Sequence, residues 1–323
     1  MGNLACTYRS LGKYADPQKL EIKVLNMRNR LLGEEHPDTV KAMGNLARSY
    51  KSLGKYADAE KLQIKVLDMR NRLLGEEHPV TIKAMGYLAS TYRSLEKYAD
   101  AEKLEIKVLV MRNRLLGEEH PDTIKAMGNL ASTYRSLGKY ADAQKLEIKV
   151  LDVRNKNLGE EHPHTILAMG SLAQTYRGLG ECETAEKLEI KVLNMRNKLL
   201  GKDHPDTISA MVNLAHTYGS LGKYADSEKL QMKVLDMRNR LLGEEHPDTI
   251  DAMENLAITF YYLQKYTDAA SLKVQVIGVR KKIFGEGHSK TVKAVAFLAE
   301  IRSQANSNTS ATESKKESEY YLV

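Results

Sequence analysis

The sequence predicts an all-α solenoid of antiparallel helix pairs, with about 15 helices, from three observations. One motif recurs with a fixed period, each period carries two helical stripes of apolar residues, and no segment alternates with the period of two typical of strands. The motif His-Pro-Asp-Thr, or a variant of it, begins every 42 residues, at His36, His78, His120, His162, His204, His246 and His288.

The first half of each period has the pattern of a short helix. In the copy that begins at Pro37, apolar residues recur at steps of three and one, which places them on one helical face: Val40, Met43, Leu46, Ala47, Tyr50 and Leu53. Proline suits the first helical position, where its missing N–H has no partner to lose. Gly54 then predicts the helix end, because glycine readily adopts positive φ.

The second half predicts a longer helix from about Ala57 to Leu74, which Gly75 ends. One such hairpin cannot bury both of its faces, whereas stacked hairpins can, and this arrangement is a solenoid. The chain contains seven copies of the second helix and a final lone copy of the first, over residues 289–302. Residues 303–323 are polar and unpatterned, and we predict a disordered tail there.

Composition excludes several classes of protein. No stretch of ~20 apolar residues predicts a membrane span, and the first residues lack the form of a signal peptide. The two cysteines, Cys6 and Cys182, stand at unrelated places in the repeat, so a reducing, cytoplasmic setting fits best. We expect no enzyme and no cofactor, since the sequence contains no catalytic signature. Adjacent copies of the repeated histidine lie one hairpin apart, too far to share a metal ion.

The repeat resembles the tetratricopeptide family over residues 1–302. Asn45-Leu46-Ala47, Tyr50, Gly54, Tyr56 and Ala59 match the pattern of that family. The period and the Leu-Gly-x-x-His-Pro-x-Thr linker resemble the kinesin-light-chain and nephrocystin-like type, which also forms the C-terminal half of many fungal NB-ARC or NACHT signalling NTPases. This resemblance implies a right-handed α-solenoid, the tetratricopeptide superhelix, whose first helices line a concave groove that binds proteins.

Some positions depart from the repeat. Glu96 and Gln264 replace the glycine of the turn, where a non-glycine residue at positive φ costs on the order of 1 kcal/mol. Cys182 replaces the tyrosine that begins the second helix in the other copies, which leaves a smaller side chain there. We therefore expect altered joints at the first two positions and a locally less stable fifth repeat.

The groove of the family can be placed on this sequence by spacing. One position of the first helix carries an amide in five copies, Asn3, Asn45, Asn129, Asn213 and Asn255. An amide can donate to and accept from an extended peptide backbone, and the family uses a similar ladder for that purpose. The alternative is a structural role, in which each asparagine bonds a neighbouring helix.

Basic residues flank this ladder. They are Lys41, Lys83 and Lys125 on one side, and Arg9, Lys51, Arg93, Arg135 and Arg177 on the other. The first helices carry few acidic residues to balance them, so we predict an extended acidic peptide as the ligand; the alternative is a solvated charged face. Toward the C-terminus, Asp251, Glu254, Tyr261 and Tyr262 make the groove more acidic and aromatic.

Other functions stay open. The net charge of +7 admits nucleic acid, although the cations of the second helices are mixed with acids. Met1 falls at an interior position of a first helix, which predicts a C-terminal fragment or a late start. The chain is then the partner-sensing arm of an NB-ARC or NACHT NTPase, or a cargo adaptor of the kinesin-light-chain kind.

Overall fold

The computed structural model describes residues 15–320, with side chains over residues 18–307, and its regular structure in that range is entirely α-helical. Asn3 and Arg9 lie outside the described residues. The 14 helices are α1 (Ala15–Leu32), α2 (Pro37–Ser52), α3 (Tyr56–Leu74), α4 (Pro79–Ser94), α5 (Tyr98–Leu116), α6 (Pro121–Ser136), α7 (Tyr140–Leu158), α8 (Pro163–Gly178), α9 (Cys182–Leu200), α10 (Pro205–Ser220), α11 (Tyr224–Leu242), α12 (Pro247–Tyr262), α13 (Tyr266–Phe284) and α14 (Ser289–Tyr320).

The repeated histidines cap the helices that follow them. In α4, the Nδ1 atom of His78 accepts from the backbone N–H of Val80 at 3.2 Å, and Pro79 is the first helical residue. The same bond, at 3.1–3.3 Å, recurs in every copy, at His36, His120, His162, His204, His246 and His288. A cap of this kind satisfies a backbone donor that the helix leaves unpaired. The repeated histidines therefore act in the turn that leads into each first helix.

Positive φ angles stand where the glycine pattern predicts them. Gly54 has φ of 73° after the first helix of its repeat, and Gly75 has φ of 84° after the second. Glu96 and Gln264 take the same turn at φ of 59°. These two joints therefore keep the turn of the other repeats, and the two side chains occupy a backbone region that disfavours them.

The described residues form two compact units, one up to residue 168 and one from residue 169 onward, here called the N-terminal and C-terminal units. Within each unit, consecutive helices pack against one another. One cluster of the N-terminal core consists of Val40, Met43, Val66, Met69 and Ala84. One cluster of the C-terminal core consists of Ile250, Met253, Val276, Ile277, Ala294 and Leu298. The apolar stripes read from the sequence supply both cores.

The last helix is longer than predicted. We expected α14 to end at Arg302 and a disordered tail to follow, but the helix continues to Tyr320. No glycine or proline stands after Gly287 to stop it, and Ala, Ser, Gln, Glu and Lys are tolerated on a solvated helix. The lack of an apolar stripe after residue 302 therefore marks the end of packing against a neighbour, not the end of the helix.

Candidate functional site

The predicted groove positions lie on the surface of the first helices. Lys41, Lys83 and Lys125 are exposed, whereas the ladder amides are half-buried at Asn45, Asn129, Asn213 and Asn255. Lys51, Arg93, Arg135 and Arg177 are also half-buried. The structure thus leaves the lysines accessible to a ligand and places the second set of cations partly inside the fold.

Three of these arginines pair with carboxylates from the second helix of the same repeat. Arg93 Nε lies 3.4 Å from Glu105 Oε1, Arg135 Nη1 lies 2.8 Å from Glu147 Oε1, and Arg177 Nη1 lies 3.5 Å from Glu189 Oε1. The expectation that acidic residues do not balance the groove cations is wrong at these positions. Acids are scarce on the first helices, as read from the sequence, but the balancing charge comes from the second helices.

The paired glutamates are buried. Each side chain is at most 5% exposed. Burial raises the pKa of Glu105 and of Glu189, although Thr133 and Arg93 counteract this effect for Glu105, and Thr217 and Arg177 do so for Glu189. These carboxylates cost desolvation energy, so their ion pairs serve the packing of the repeat and leave little net charge for a ligand.

The sequence carries a signal for this pairing that spacing along one helix does not reveal. Glutamate stands twelve residues after each of the three arginines. Where the first position is Lys51, Gly219 or Tyr261, the second is Gln63, Gln231 or Lys273. Lys51 therefore has a neutral amide at the matched position and donates to the hydroxyl of Ser90. Burial, and then Arg93, lower the pKa of Lys51.

A pocket opens in the N-terminal unit between α2, α3 and α4. Its volume is about 620 Å³, and we call it the N-terminal pocket. Four cations line it, Lys41, Arg48, Arg70 and Lys83, with Asn45 and Tyr87 beside them. Val40, Val66, Leu73, Leu74 and Val80 provide apolar walls. None of the described residues that line this pocket is acidic.

The two arginines of this pocket come from different helices. Arg70, on α3, donates through Nη1 to the backbone oxygen of Val80 at 3.1 Å, and its Nη2 lies 3.9 Å from where a Cβ on Gly44 would stand. Arg48, on α2, lies over the ring of Tyr87 at 5.4 Å and donates to Asn45. Burial lowers the pKa of Arg70; Tyr87 counteracts this effect and Arg48 adds to it, so the two positive charges interact.

Spacing alone did not select either arginine. Arg48 stands three residues after the ladder position, but most other repeats have Ser, Gln, His or Ile there. Arg70 recurs in every repeat, among the second-helix cations that are mixed with acids. Its recurring bond to the next first helix shows a structural role, and the open volume at Gly44 shows that one of its nitrogens also faces the pocket.

The C-terminal unit has a smaller pocket of about 330 Å³, here the C-terminal pocket. Tyr224 and Tyr262 stack at its rim, with ring centroids 4.9 Å apart. His216 lines it, and burial, then Arg177, lower the pKa of that side chain. The aromatic character predicted for this end is present in Tyr262, which is 56% exposed.

Glu254 neutralises cations in the C-terminal unit. Its Oε1 accepts from Lys273 Nζ at 2.8 Å and from Arg280 Nη1 at 2.7 Å. Both cations are buried. Tyr261, predicted as a groove residue, donates to Glu300 at 3.0 Å. Two of the polar residues predicted to face a ligand here, Glu254 and Tyr261, are therefore bonded within the fold.

The recurring Glu-Glu pairs of the linkers offset the positive charge of the second helices. Glutamates of these pairs contact cations on the following second helix, as in Arg72–Glu35 at 2.9 Å, Lys107–Glu76 at 2.9 Å and Lys156–Glu119 at 2.9 Å. Surface pairs of this kind contribute little stability, but they balance the charge of the surface.

The described residues form neither a candidate metal site nor a membrane-spanning helix. No group of three or more His, Cys, Asp or Glu side chains within it is placed to hold a metal ion. None of its helices is both long and apolar enough to cross a membrane.

The comparisons with known proteins agree with the repeat pattern. A tetratricopeptide-repeat model matches residues 1–70, 45–111, 87–156 and 206–282, and a second model of the same description matches residues 165–206. No protein of curated function matches the chain significantly.

Similar solved structures include a Podosopora anserina protein with nearly identical TPR-like repeats, described as a kinesin light chain. It is 26% identical, with a TM-score of 0.57, over 64% of this chain and 97% of its own. A tetratricopeptide repeat protein from Parabacteroides merdae is 16% identical, with a TM-score of 0.63, over 94% and 96%. A STAND ATPase with a tetratricopeptide sensor, PH0952 from Pyrococcus horikoshii, is 14% identical, with a TM-score of 0.59, over 96% and 47%.

Proposed function

Because the chain belongs to the tetratricopeptide-repeat family, we propose that it is a non-catalytic scaffold that binds an extended acidic segment of a partner protein. The observation that carries this proposal is the N-terminal pocket, where Lys41, Arg48, Arg70 and Lys83 line one cavity and no acidic residue joins them. An acidic segment complements this charge, and complementary charge raises both association rate and specificity.

The polar groups of the pocket suit a peptide. Asn45 stands at the ladder position and can bond the backbone of an extended chain, as either donor or acceptor. Exposed apolar side chains at Leu73, Leu74 and Val80 can cover apolar residues of the same segment. The arrangement thus combines backbone recognition, apolar contact and charge.

The residues that we expect to bind the ligand differ in part from those that the sequence predicts. Arg93, Arg135 and Arg177 are neutralised by buried glutamates, so they contribute less than the sequence suggested. Lys41 and Lys83 are exposed, and no described acidic side chain pairs with them across the pocket. We expect these two lysines, with Arg48, to supply most of the attraction for an acidic ligand.

A charge-reversal experiment tests this proposal. The probe is a fluorescein-labelled 12-residue peptide of alternating Glu and Gly, titrated by fluorescence anisotropy at physiological salt. We expect Lys41→Glu with Lys83→Glu to weaken binding by about tenfold or more, because two attractions become repulsions. The control, Lys61→Glu with Lys103→Glu, makes the same change of net charge on exposed second-helix positions and should alter affinity by less than about twofold.

Absence of binding by the wild-type protein, or equal losses in both double variants, would refute the acidic-peptide proposal. A peptide of alternating Lys and Gly serves as the second probe, and it should not bind measurably.

Two biological settings fit such a scaffold. The similarity to the Podosopora anserina protein supports a cargo adaptor of the kinesin-light-chain kind. A partner-sensing arm of a signalling NTPase is the second setting, and the likeness to the archaeal ATPase supports it at the level of fold alone. An in-frame P-loop domain in the coding sequence upstream of Met1 would select the sensing arm, and a stop codon there would select the adaptor.

Nucleic acid is a weaker candidate ligand. The ion pairs between linker glutamates and second-helix cations balance the outer face, and the cations of the N-terminal pocket form a local cluster. Binding to single-stranded nucleic acid usually requires a positive groove with interleaved aromatic residues. A steep salt dependence in binding to arbitrary DNA or RNA would favour this alternative.

A further inference from the structure

In the C-terminal unit, a carboxylate of the protein itself, that of Glu254, binds cations at the repeat positions that form the N-terminal pocket in the second repeat. Glu254, Ile258, Lys273 and Arg280 stand 210 residues, or five periods, after Gly44, Arg48, Gln63 and Arg70. The carboxylate of Glu254 binds Arg280 and Lys273. The same guanidinium position in the N-terminal unit, Arg70, faces a glycine.

Gly44 leaves the corresponding volume open. A Cβ at this residue would meet Arg70 Nη2 at 3.9 Å and Val66 Cγ1 at 4.0 Å, which are ordinary contact distances. The space in front of Arg70 is therefore large enough for an acidic group, and in the N-terminal unit the repeat itself does not supply one. An anion from outside the chain can take the place that Glu254 takes in the last repeat.

The N-terminal pocket also carries more positive charge than one carboxylate can neutralise. Arg48 adds a second guanidinium where the C-terminal unit has Ile258, and Lys41 and Lys83 add two ammonium groups at the rim. The guanidinium group matches the oxygens of a phosphate in bidentate geometry. A phosphate monoester carries close to two negative charges at neutral pH and has three acceptor oxygens.

We propose that the N-terminal pocket binds the phosphate group of a phosphorylated side chain on the partner peptide, between Arg48 and Arg70 in front of Gly44. This proposal rests on the proposed function, because the peptide that carries the phosphate lies along the same first helices. The half-exposed apolar walls formed by Leu73, Leu74 and Val80 contact the stem of the phosphorylated residue.

Two groups of the pocket wall orient the site. Arg70 is held by its bond to the oxygen of Val80, so its Nη2 keeps a fixed direction toward the space at Gly44. Arg48 lies over the ring of Tyr87, which limits its rotamers. A pair of held donors loses little side-chain entropy when a phosphate binds, and this favours affinity.

The test compares phosphorylated with carboxylate peptides. The probes are fluorescein-labelled degenerate 11-residue pools with a central phosphoserine or phosphotyrosine, and a matched pool with a central glutamate, titrated at physiological salt. We expect at least one phosphorylated pool to bind about tenfold tighter than the glutamate pool, because a dianion can engage both guanidinium groups.

Gly44→Glu transplants the acidic residue of the last repeat into the pocket. It should place a carboxylate against Arg70 and remove the preference for phosphate, with a loss of about tenfold in affinity for the phosphorylated pool. Gly128→Glu makes the same substitution at an open glycine on α6, outside the N-terminal pocket, and should change that affinity by less than about twofold. Circular dichroism establishes that both variants remain helical.

The outcomes separate this inference from the proposed function. If the glutamate pool binds, loses affinity in the Lys41→Glu, Lys83→Glu variant and equals the phosphorylated pools, the scaffold proposal stands and the phosphate site is refuted. If Gly44→Glu and Gly128→Glu have equal effects, the phosphate site is also refuted. If no pool binds, both proposals are refuted.

Discussion

The N-terminal and C-terminal units are built from the same repeat pattern, but the arginine at one repeat position has different surroundings in each. In the last repeat, Arg280 is buried and binds Glu254, which also binds Lys273. In the second repeat, Arg70 faces Gly44 and an open cavity lined by three further cations. In these two repeats, the residue at one position of the first helix, glutamate or glycine, separates an arginine that the fold pairs from an arginine that stays available to a ligand.

Loss of Glu254 should have the largest effect on stability. Glu254→Gly leaves two buried cations without their carboxylate, and removal of one partner from a buried pair costs roughly 3 kcal/mol or more. The reverse change, Gly44→Glu, introduces a better helix former and a partner for Arg70, so we expect the free energy of unfolding to rise or to stay unchanged. Urea denaturation followed by circular dichroism measures both.

Equal losses of stability in Glu254→Gly and Gly44→Glu would contradict the comparison. Such a result would mean that the pocket around Arg70 does not tolerate an acid. No loss of stability in Glu254→Gly would mean that Glu254 does not stabilise the C-terminal unit.

The turn positions with positive φ should respond alike in the two units. Glu96→Gly and Gln264→Gly each remove a side chain from a left-handed backbone conformation, and we expect each to raise the free energy of unfolding by about 1 kcal/mol. Gly138→Glu, at a turn with φ of 73°, is the matched reverse and should lower it by a similar amount. Thermal unfolding measures the three; no gain in either glycine variant would show that these turns relax without cost.

The buried glutamates predict a small pH dependence that both units share. Because burial raises the pKa of Glu105 and Glu189 in the folded protein above the value in the unfolded chain, the folded state holds their protons to higher pH. Their contribution to stability therefore falls as pH rises from the ordinary range of glutamate through the raised pKa.

A variant with Glu105→Gln and Glu189→Gln tests this dependence. Glutamine stands naturally at the same register in Gln63 and Gln231, so the repeat accommodates it. Denaturation between pH 4 and pH 8 should show a wild-type advantage that shrinks with rising pH. An advantage that grows with pH would mean that the ion pairs outweigh burial.

The sequence was sufficient for most of the fold. The histidine-proline period set the first helix of each repeat, and Gly54 and Gly75 set the ends of both helices, because these residues act on the local backbone. The end of α14 was missed for the same reason: no local signal stops that helix, and a prediction from apolar pattern reported the end of packing instead. The prediction of the fold depended on local sequence signals, so it failed at the end of α14, where no such signal is present.

Less of the candidate site than of the fold could be predicted from the sequence. Spacing placed Lys41 and Asn45 on one face of α2, since positions on a single helix follow from its geometry, and Lys83 stands at the position of α4 that is equivalent to Lys41. Spacing could not show that Glu105 lies against Arg93, or that Arg70 reaches past Gly44, because these contacts join different helices. The net charge of the first-helix surface depends on side chains of the neighbouring second helices. A glutamate twelve residues after each arginine is the sequence signal that indicates this pairing.

The crystal structure of the protein with the alternating Glu-Gly peptide tests the central claim most directly. We expect a peptide carboxylate within hydrogen-bond distance of Arg70 Nη2, in the space in front of Gly44, with Lys41 and Lys83 on either side of the chain. A peptide bound elsewhere, on the outer second helices or beside Tyr262, with the N-terminal pocket unoccupied, would contradict the claim.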